Sequence, residues 1–269
     1  MQRRFIFPFC LLVLAILPLP LLATCLLGIS QNNLGPRFVS ERPSAGSSSL
    51  LVRYLGHSSF LLVSPKGVTA VTDFNGLHSP AFPPNIVTMN NSHGTHYTDS
   101  PDPRIRHVLR GWSGIKEQGF VRYNLKLRDM RVWNIPTNIG EYGDPRRNGN
   151  SIFIFQVSNL CVAHLGHLHH MLDRQQLLEL GRIDVLFVPA DGSSTLSHPE
   201  AMSVIKQIEP RLVLPMHFGF YGAVESFSKA AGALWPVRFS DKSDYLVNQI
   251  NLPRRTEILF LTPYKTSLN

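Results

Sequence analysis

Three histidine-bearing turns in this chain each follow a β-like apolar run. Ser92-His93-Gly94-Thr95-His96 comes after Ile86–Met89, and His164-Leu165-Gly166-His167-Leu168-His169-His170 after Leu160–Ala163. Pro215-Met216-His217 comes after Leu212–Leu214. Imidazole is the commonest side-chain metal ligand, and its neutral form suits zinc. Three such turns at one edge of a sheet can converge on a single ion. Three imidazoles plus water in an open fourth position is the arrangement of a catalytic zinc site.

Those turns need a scaffold. Leu50–Tyr54, Ser59–Val63, Val68–Thr72 and Ile86–Met89 read as short strands, and Pro101–Gly119 as loop with a short helix. Phe120–Leu127 and Met130–Ile135 read as strands, Ile139–Gly149 as a Gly/Pro/Arg loop, and Ser151–Val157 with Leu160–Ala163 as a hairpin. The second half alternates. Helices are expected over Asp173–Leu180, about Glu200–Ile208 and Ala223–Ala231, with buried strands at Ile183–Val188 and Arg211–Pro215. The chain therefore runs mostly β first, then alternating β and α.

The N-terminus has a different character. Met1-Gln2-Arg3-Arg4 is basic, and Phe5–Gly28 is apolar and uncharged. Residues 1–28 read as a secretory signal or a retained anchor, with the following domain exported to the periplasm or another extracytoplasmic space. Pro18 and Pro20 favour a signal, the length favours an anchor, and Leu22–Cys25 weakly resembles a lipoprotein cleavage site. Residues 29–49, rich in Pro, Ser, Gly and Asn, read as a linker to a domain over residues 50–269. With Cys10 and Cys25 in the leader, Cys161 is the one cysteine expected in the fold. It is predicted to be a buried structural thiol, with no disulfide in the domain. The formal charge of +8 in 269 residues is scattered and forms no basic helix face with interleaved aromatics, which argues against nucleic-acid binding.

Several of these segments resemble one family. Tyr54-Leu55-Gly56-His57-Ser58-Ser59-Phe60-Leu61-Leu62 followed by Thr72-Asp73 is similar to the opening of the metallo-β-lactamase-fold hydrolases. Val162–Gly166, Arg182–Pro189 and Leu214–His217 continue the likeness, so that it covers about Leu50 to Gly222. The branch it resembles holds ascorbate-6-phosphate lactonases and N-acylphosphatidylethanolamine phospholipases. The resemblance implies an α/β fold, an αββα four-layer sandwich with the metal site at one edge of two sheets.

The departures from the family pattern define the expected site. The signature His-x-His-x-Asp-His reads Asn91-Ser92-His93-Gly94-Thr95-His96, so Asn91 and Thr95 stand where the family has His and Asp. The loop that should bring another His carries Asn138, and His167 follows Gly166 where the family has a bridging Asp. The resemblance then leaves His93 alone at the family's first metal site, and His96 and His217, with His167 as a possible addition, at the second; these four are the expected metal ligands, with one ion, zinc first, and manganese or iron as alternatives. His57 and His164 are the candidates for handling protons. Asp73, at a strand end, is expected to orient a ligand ring or cap a turn. Asn91, Thr95, Asn138 and Asp191 are expected to line the pocket. The implied chemistry is attack by a metal-bound hydroxide on an ester, lactone, amide or phosphodiester of a small or lipid-like substrate. The alternative is a non-catalytic metal- or ligand-binding protein on a decayed hydrolase scaffold.

Overall fold

A computed structural model describes Cys25 and residues 49–113, 119–141, 144–219 and 221–264. In chain order the first strands are β1 (Leu50–Gly56), β2 (Ser59–Val63), β3 (Thr69–Val71), β4 (Ile86–Met89) and β5 (His107–Arg110). Next come β6 (Asn124–Leu127), β7 (Met130–Glu141), β8 (Asp144–Val157) and β9 (Leu160–His164). The alternating half is α1 (Arg174–Leu180), β10 (Val185–Pro189), α2 (His198–Ile208), β11 (Leu212–Met216) and α3 (Ala223–Gly232). Three short strands follow, β12 (Val237–Phe239), β13 (Asp244–Val247) and β14 (Glu257–Phe260).

The strands make two sheets, one in the order β13-β1-β2-β3-β4-β5 and the other β12-β14-β11-β10-β9-β8-β7-β6. The period-2 alternation of strand side chains builds the layers. Phe153, Phe155 and Val157 of β8 enter the core between the sheets, with Tyr54, Phe60 and Phe187. Ile152 and Ile154 turn the other way, into a second core beneath the helices, with Leu180, Val204 and Phe227. Fully burying such a side chain contributes about 1.5–3 kcal/mol. All three helices of the described residues pack on the second sheet. The outer face of the first sheet (Leu61, Val71, Val87, Met89) is covered by Tyr97, Val108 and Trp112, from loops and the edge strand β5. The expected fourth layer of helix is therefore a layer of mainly loop among the described residues.

Two segments differ from expectation. Residues 139–141 and 144–149, within the stretch expected as loop, continue the β7–β8 pairing as a long arm that shifts register between Thr137 and Ile139. His107–Arg110, expected as loop or short helix, forms the edge strand β5 parallel to β4. The helices fall where expected, closed by capping boxes at Asp173 with Gln176 and at Ser197 with Glu200.

The larger correction concerns the cysteines. Cys25 is buried and bonded to Cys161, across 136 residues of sequence. Its carbonyl also accepts the backbone N–H of Arg182 at 3.1 Å. Cys161 is buried as expected, but it is one half of a disulfide and not a free thiol. The sequence reading failed because it ended the leader after Cys25 and so removed the partner. A bonded Cys25 also has no thiol left to carry a lipid. The rest of the leader and linker, residues 1–24 and 26–48, lies outside the described residues. No helix among the described residues is long and apolar enough to cross a membrane.

Candidate metal centre

Asp73, His93, His96, His167, Asp191 and His217 all lie just beyond the C-terminal ends of strands, respectively β3, β4, β4, β9, β10 and β11. β3 and β4 are parallel, as are β9, β10 and β11, so each sheet delivers its loops to the same edge. The loop after β4 is folded back on itself by His96 N–H to His93 O at 2.9 Å and Asn90 N–H to His96 O at 3.3 Å. Those bonds bring His93 and His96 together, with ring centroids 4.6 Å apart. His217 adopts a left-handed backbone, φ 56°, and its N–H is held by the carbonyl of His57 at 2.8 Å. His57 and Asp73 share that backbone region, at φ 51° and 41°. Left-handed backbone costs energy outside glycine and gathers at functional sites.

His93, His96, His167 and His217 each offer one ligand nitrogen, and the four atoms lie within 4.8 Å of one another. His96, His167 and His217 are buried and His93 is exposed. The Nε2 atoms of His96, His167 and His217 are buried without a hydrogen-bond partner. Orphaned buried nitrogens are costly, and three on one cluster fit a bound cation.

Each ring has a polar neighbour: His93, His96 and His167 have a hydrogen-bond partner, and His217, whose Nδ1 makes no hydrogen bond, has a carboxylate beside it. Asp73 Oδ2 accepts His96 Nδ1–H at 2.6 Å, and Asp191 Oδ1 lies 3.2 Å from His217 Nδ1. Thr95 Oγ1 is 2.8 Å from His93 Nδ1, and His169 Nε2 is 2.6 Å from His167 Nδ1. Such outer contacts fix tautomer and orientation. Burial pushes the Asp73 carboxyl up to about 6, against the pull of His164 and the bond from Asn90. Burial also raises Asp191, but contacts from His217, Thr195 and the Ser193 backbone outweigh it and hold that carboxyl well down. Burial and mutual repulsion lower His96 and His167, so both rings are neutral and able to ligate.

A buried amide network sets the distance between the sheets. Asn90 Nδ2 donates to Asp73 Oδ1 at 2.8 Å, and Asn90 Oδ1 accepts the N–H of Ser151 at 2.8 Å. Asn150 Oδ1 accepts the N–H of His167 at 2.8 Å, while its Nδ2 donates to Thr137 Oγ1 and Leu165 O. Gly166, at φ 61°, lies against both amides: a Cβ there would sit 2.3 Å from Asn150 Oδ1 and 2.4 Å from Asn90 Nδ2. Sequence reasoning missed Asn90 and Asn150 because their partners are distant in sequence. The signal available was only a polar residue at the end of an apolar run.

The remaining expected residues divide. His57 is beside the cage, 4.4 Å from the His217 ring and 5.1 Å from that of His96, with Nε2 3.3 Å from Thr95 Oγ1. Burial and the neighbouring histidines lower it to about 3. Thr95 Oγ1 lies within hydrogen-bond distance of both His57 and His93. His164 does not serve the expected proton role. Its Nε2 donates to Ser58 O at 2.8 Å and its Nδ1 accepts the N–H of Gly166 at 3.0 Å, so both nitrogens are engaged in holding backbone. Asn138 is also out of the pocket. It is exposed on the arm, its Oδ1 accepts the N–H of Asn148, and its own N–H goes to His170 Nε2. Asn91 is half-buried and donates its backbone N–H to Gly149 O at the same arm.

Comparison with known proteins agrees with this geometry. The family model described as the beta-lactamase superfamily domain matches residues 51–217. A UPF0173 metal-dependent hydrolase of Thermococcus onnurineus is 22% identical over 205 residues, 67% of this chain and 92% of the relative. A candidate Zn-dependent hydrolase of the metallo-beta-lactamase superfamily from Thermotoga maritima superposes with TM-score 0.56 at 21% identity, covering 79% of this chain and 100% of that one. A candidate metal-dependent hydrolase from Parabacteroides distasonis gives 0.54 at 16%, over 67% and 87%.

Proposed function

This chain belongs to the beta-lactamase superfamily, and on that premise we propose that it is a metal-dependent hydrolase with one zinc ion among His93, His96, His167 and His217. The observation that carries the reading is the trio of buried, unpartnered Nε2 atoms in a cluster whose ligand atoms lie within 4.8 Å. An all-imidazole donor set favours zinc over manganese, which prefers oxygen. The ion would supply a Lewis acid toward a carbonyl or phosphoryl oxygen and lower the pKa of water. The chain's own residues do the rest. Asp73 orients His96, Asp191 lies 3.2 Å from His217 Nδ1, and the two bring two negative charges to offset a divalent cation. His57, half-buried at the cage wall, exchanges protons with the reacting groups through Nε2 and Thr95 Oγ1. His93 is exposed, so the substrate enters on its side. That substrate is an ester, lactone, amide or phosphodiester, small or lipid-like.

Four imidazoles could also fill a tetrahedral shell completely, which favours as second reading a metal-binding protein without turnover. Elemental analysis with a hydrolysis screen over those four bond types separates the two. One zinc and a turnover lost in His217→Ala supports the hydrolase. One zinc without turnover supports the second reading, and no zinc from zinc-replete medium overturns both.

We also propose that the domain works outside the cytoplasm, with the apolar segment before Cys25 directing it to the membrane. The Cys25–Cys161 bond supports this, because disulfides persist in oxidising compartments. Cell fractionation after thiol trapping tests it: an alkylatable Cys161 in a cytoplasmic pool would refute it.

A further inference from the structure

We infer that His169 is the positioning residue for His167, taking the Nδ1–H of that ring and thereby turning its Nε2 toward the ion. The inference rests on the metal-centre reading above. His167 Nε2 is buried and unpartnered, so it is the nitrogen available to ligate. A neutral ring that ligates through Nε2 carries its hydrogen on Nδ1. That hydrogen has an acceptor at 2.6 Å, the Nε2 of His169, with the two ring centroids 4.7 Å apart.

The place of His169 is fixed by the β7–β8 arm. A Cβ on Gly140 would lie 3.5 Å from His169 Cβ, so the arm's backbone runs against this side chain. The next residue, His170, accepts the N–H of Asn138 at 3.1 Å and is pinned to the same strand. His169 is half-buried, which leaves its ring between the buried ligand and solvent.

The choice of residue type has an electrostatic reason. His96 and His217 face carboxylates, and Asp73 with Asp191 already matches the charge of a divalent ion. A third carboxylate would make the assembly net negative. A neutral imidazole orients the third ring without adding charge.

The test is metal affinity, measured on the full chain stripped by chelator and titrated with zinc against a chromophoric competitor, with cobalt spectra in parallel. His169→Phe keeps a planar aromatic ring, somewhat larger, but cannot accept, and should weaken zinc about 10- to 100-fold and alter the cobalt bands. His169→Asp restores an acceptor and should bind as tightly as wild type or tighter. His170→Phe should stay within about twofold of wild type if the contact to His167 is what matters. If His169→Phe does not fold, as judged by circular dichroism, His169→Ala takes its place. Equal affinity in wild type and the non-accepting variant overturns this inference alone. Failure of His169→Asp to rescue also overturns it, by making the role one of packing. No zinc bound to wild type overturns the metal-centre reading itself.

Discussion

Replacing Asp73 by Asn should weaken the metal site and strengthen the empty protein, two effects of opposite sign from one atom change. Asp73 is fully buried, accepts from His96 and Asn90, and has its carboxyl pushed up to about 6 from 3.8. The folded value lies above the unfolded one, so folding carries a penalty that is full above pH 6 and shrinks as pH falls toward 4. Two pKa units correspond to about 3 kcal/mol. Asn removes that charge and tolerates the left-handed backbone. It also creates a conflict. If its oxygen faces His96 Nδ1, its amide meets the Nδ2 of Asn90, donor against donor. Asn90 cannot turn over, because its Oδ1 holds the N–H of Ser151. That conflict returns about 1–2 kcal/mol. The metal-free variant should therefore gain about 1–2 kcal/mol at pH 7.5, or about 2–6 °C in Tm. Zinc affinity should fall about 10- to 100-fold, because the His96 ring loses its anionic partner. The assay is thermal and urea unfolding of the metal-free proteins at pH 7.5 and 5, with competitive zinc titration. At pH 5 the penalty removed falls to about 1.6 kcal/mol, so the stability gain should all but vanish there. A gain that ignores pH, or an unchanged zinc affinity, would refute the reasoning.

Three further outcomes are expected. His96→Ala and His217→Ala should each abolish tight zinc binding, whereas His170→Ala should leave it nearly intact, as read by equilibrium dialysis. Gly166→Ala should cost about 3 kcal/mol or more and loosen the metal, since its Cβ would lie 2.3 Å from Asn150 Oδ1 on a φ of 61°; urea midpoints and zinc titration check both. Cys161→Ser, or reduction of the wild type, should cost about 2–5 kcal/mol by urea unfolding, and a non-reducing peptide map should contain Cys25 joined to Cys161.

The parts of the fold that can be read from local pattern were legible. The apolar runs of β2, β4, β9, β10 and β11, and the capped helices, fall where alternation and capping residues put them. The four clustered histidines could be picked out for the same reason: each follows such a run. What the pattern hides is long-range pairing. The arm over residues 139–149 holds Gly, Pro and Arg, and pairs because its two halves are already in register, not from local propensity. Strands β12 to β14 are short and complete sheets begun elsewhere. His164 carries the same residue type as the four clustered histidines, yet its ring is spent on Ser58 and Gly166, a fact of packing that spacing cannot encode. Asn90, Asn150 and Cys25 likewise gain their roles from partners 61, 17 and 136 positions away.

The Cys25–Cys161 bond also changes what kind of object the chain is. It closes residues 25 to 161 into a covalent ring that contains all of β1–β8 and the start of β9, and leaves residue 162 onward as a tail. A single protease cut anywhere between those cysteines opens the ring but releases nothing, so the nicked molecule keeps its mass until a reductant is added. His93 and His96 lie on the ring, and His167 and His217 on the tail. An ion held by all four would fasten tail to ring at a second point, turning a lasso into a closed loop with one permanent and one reversible knot.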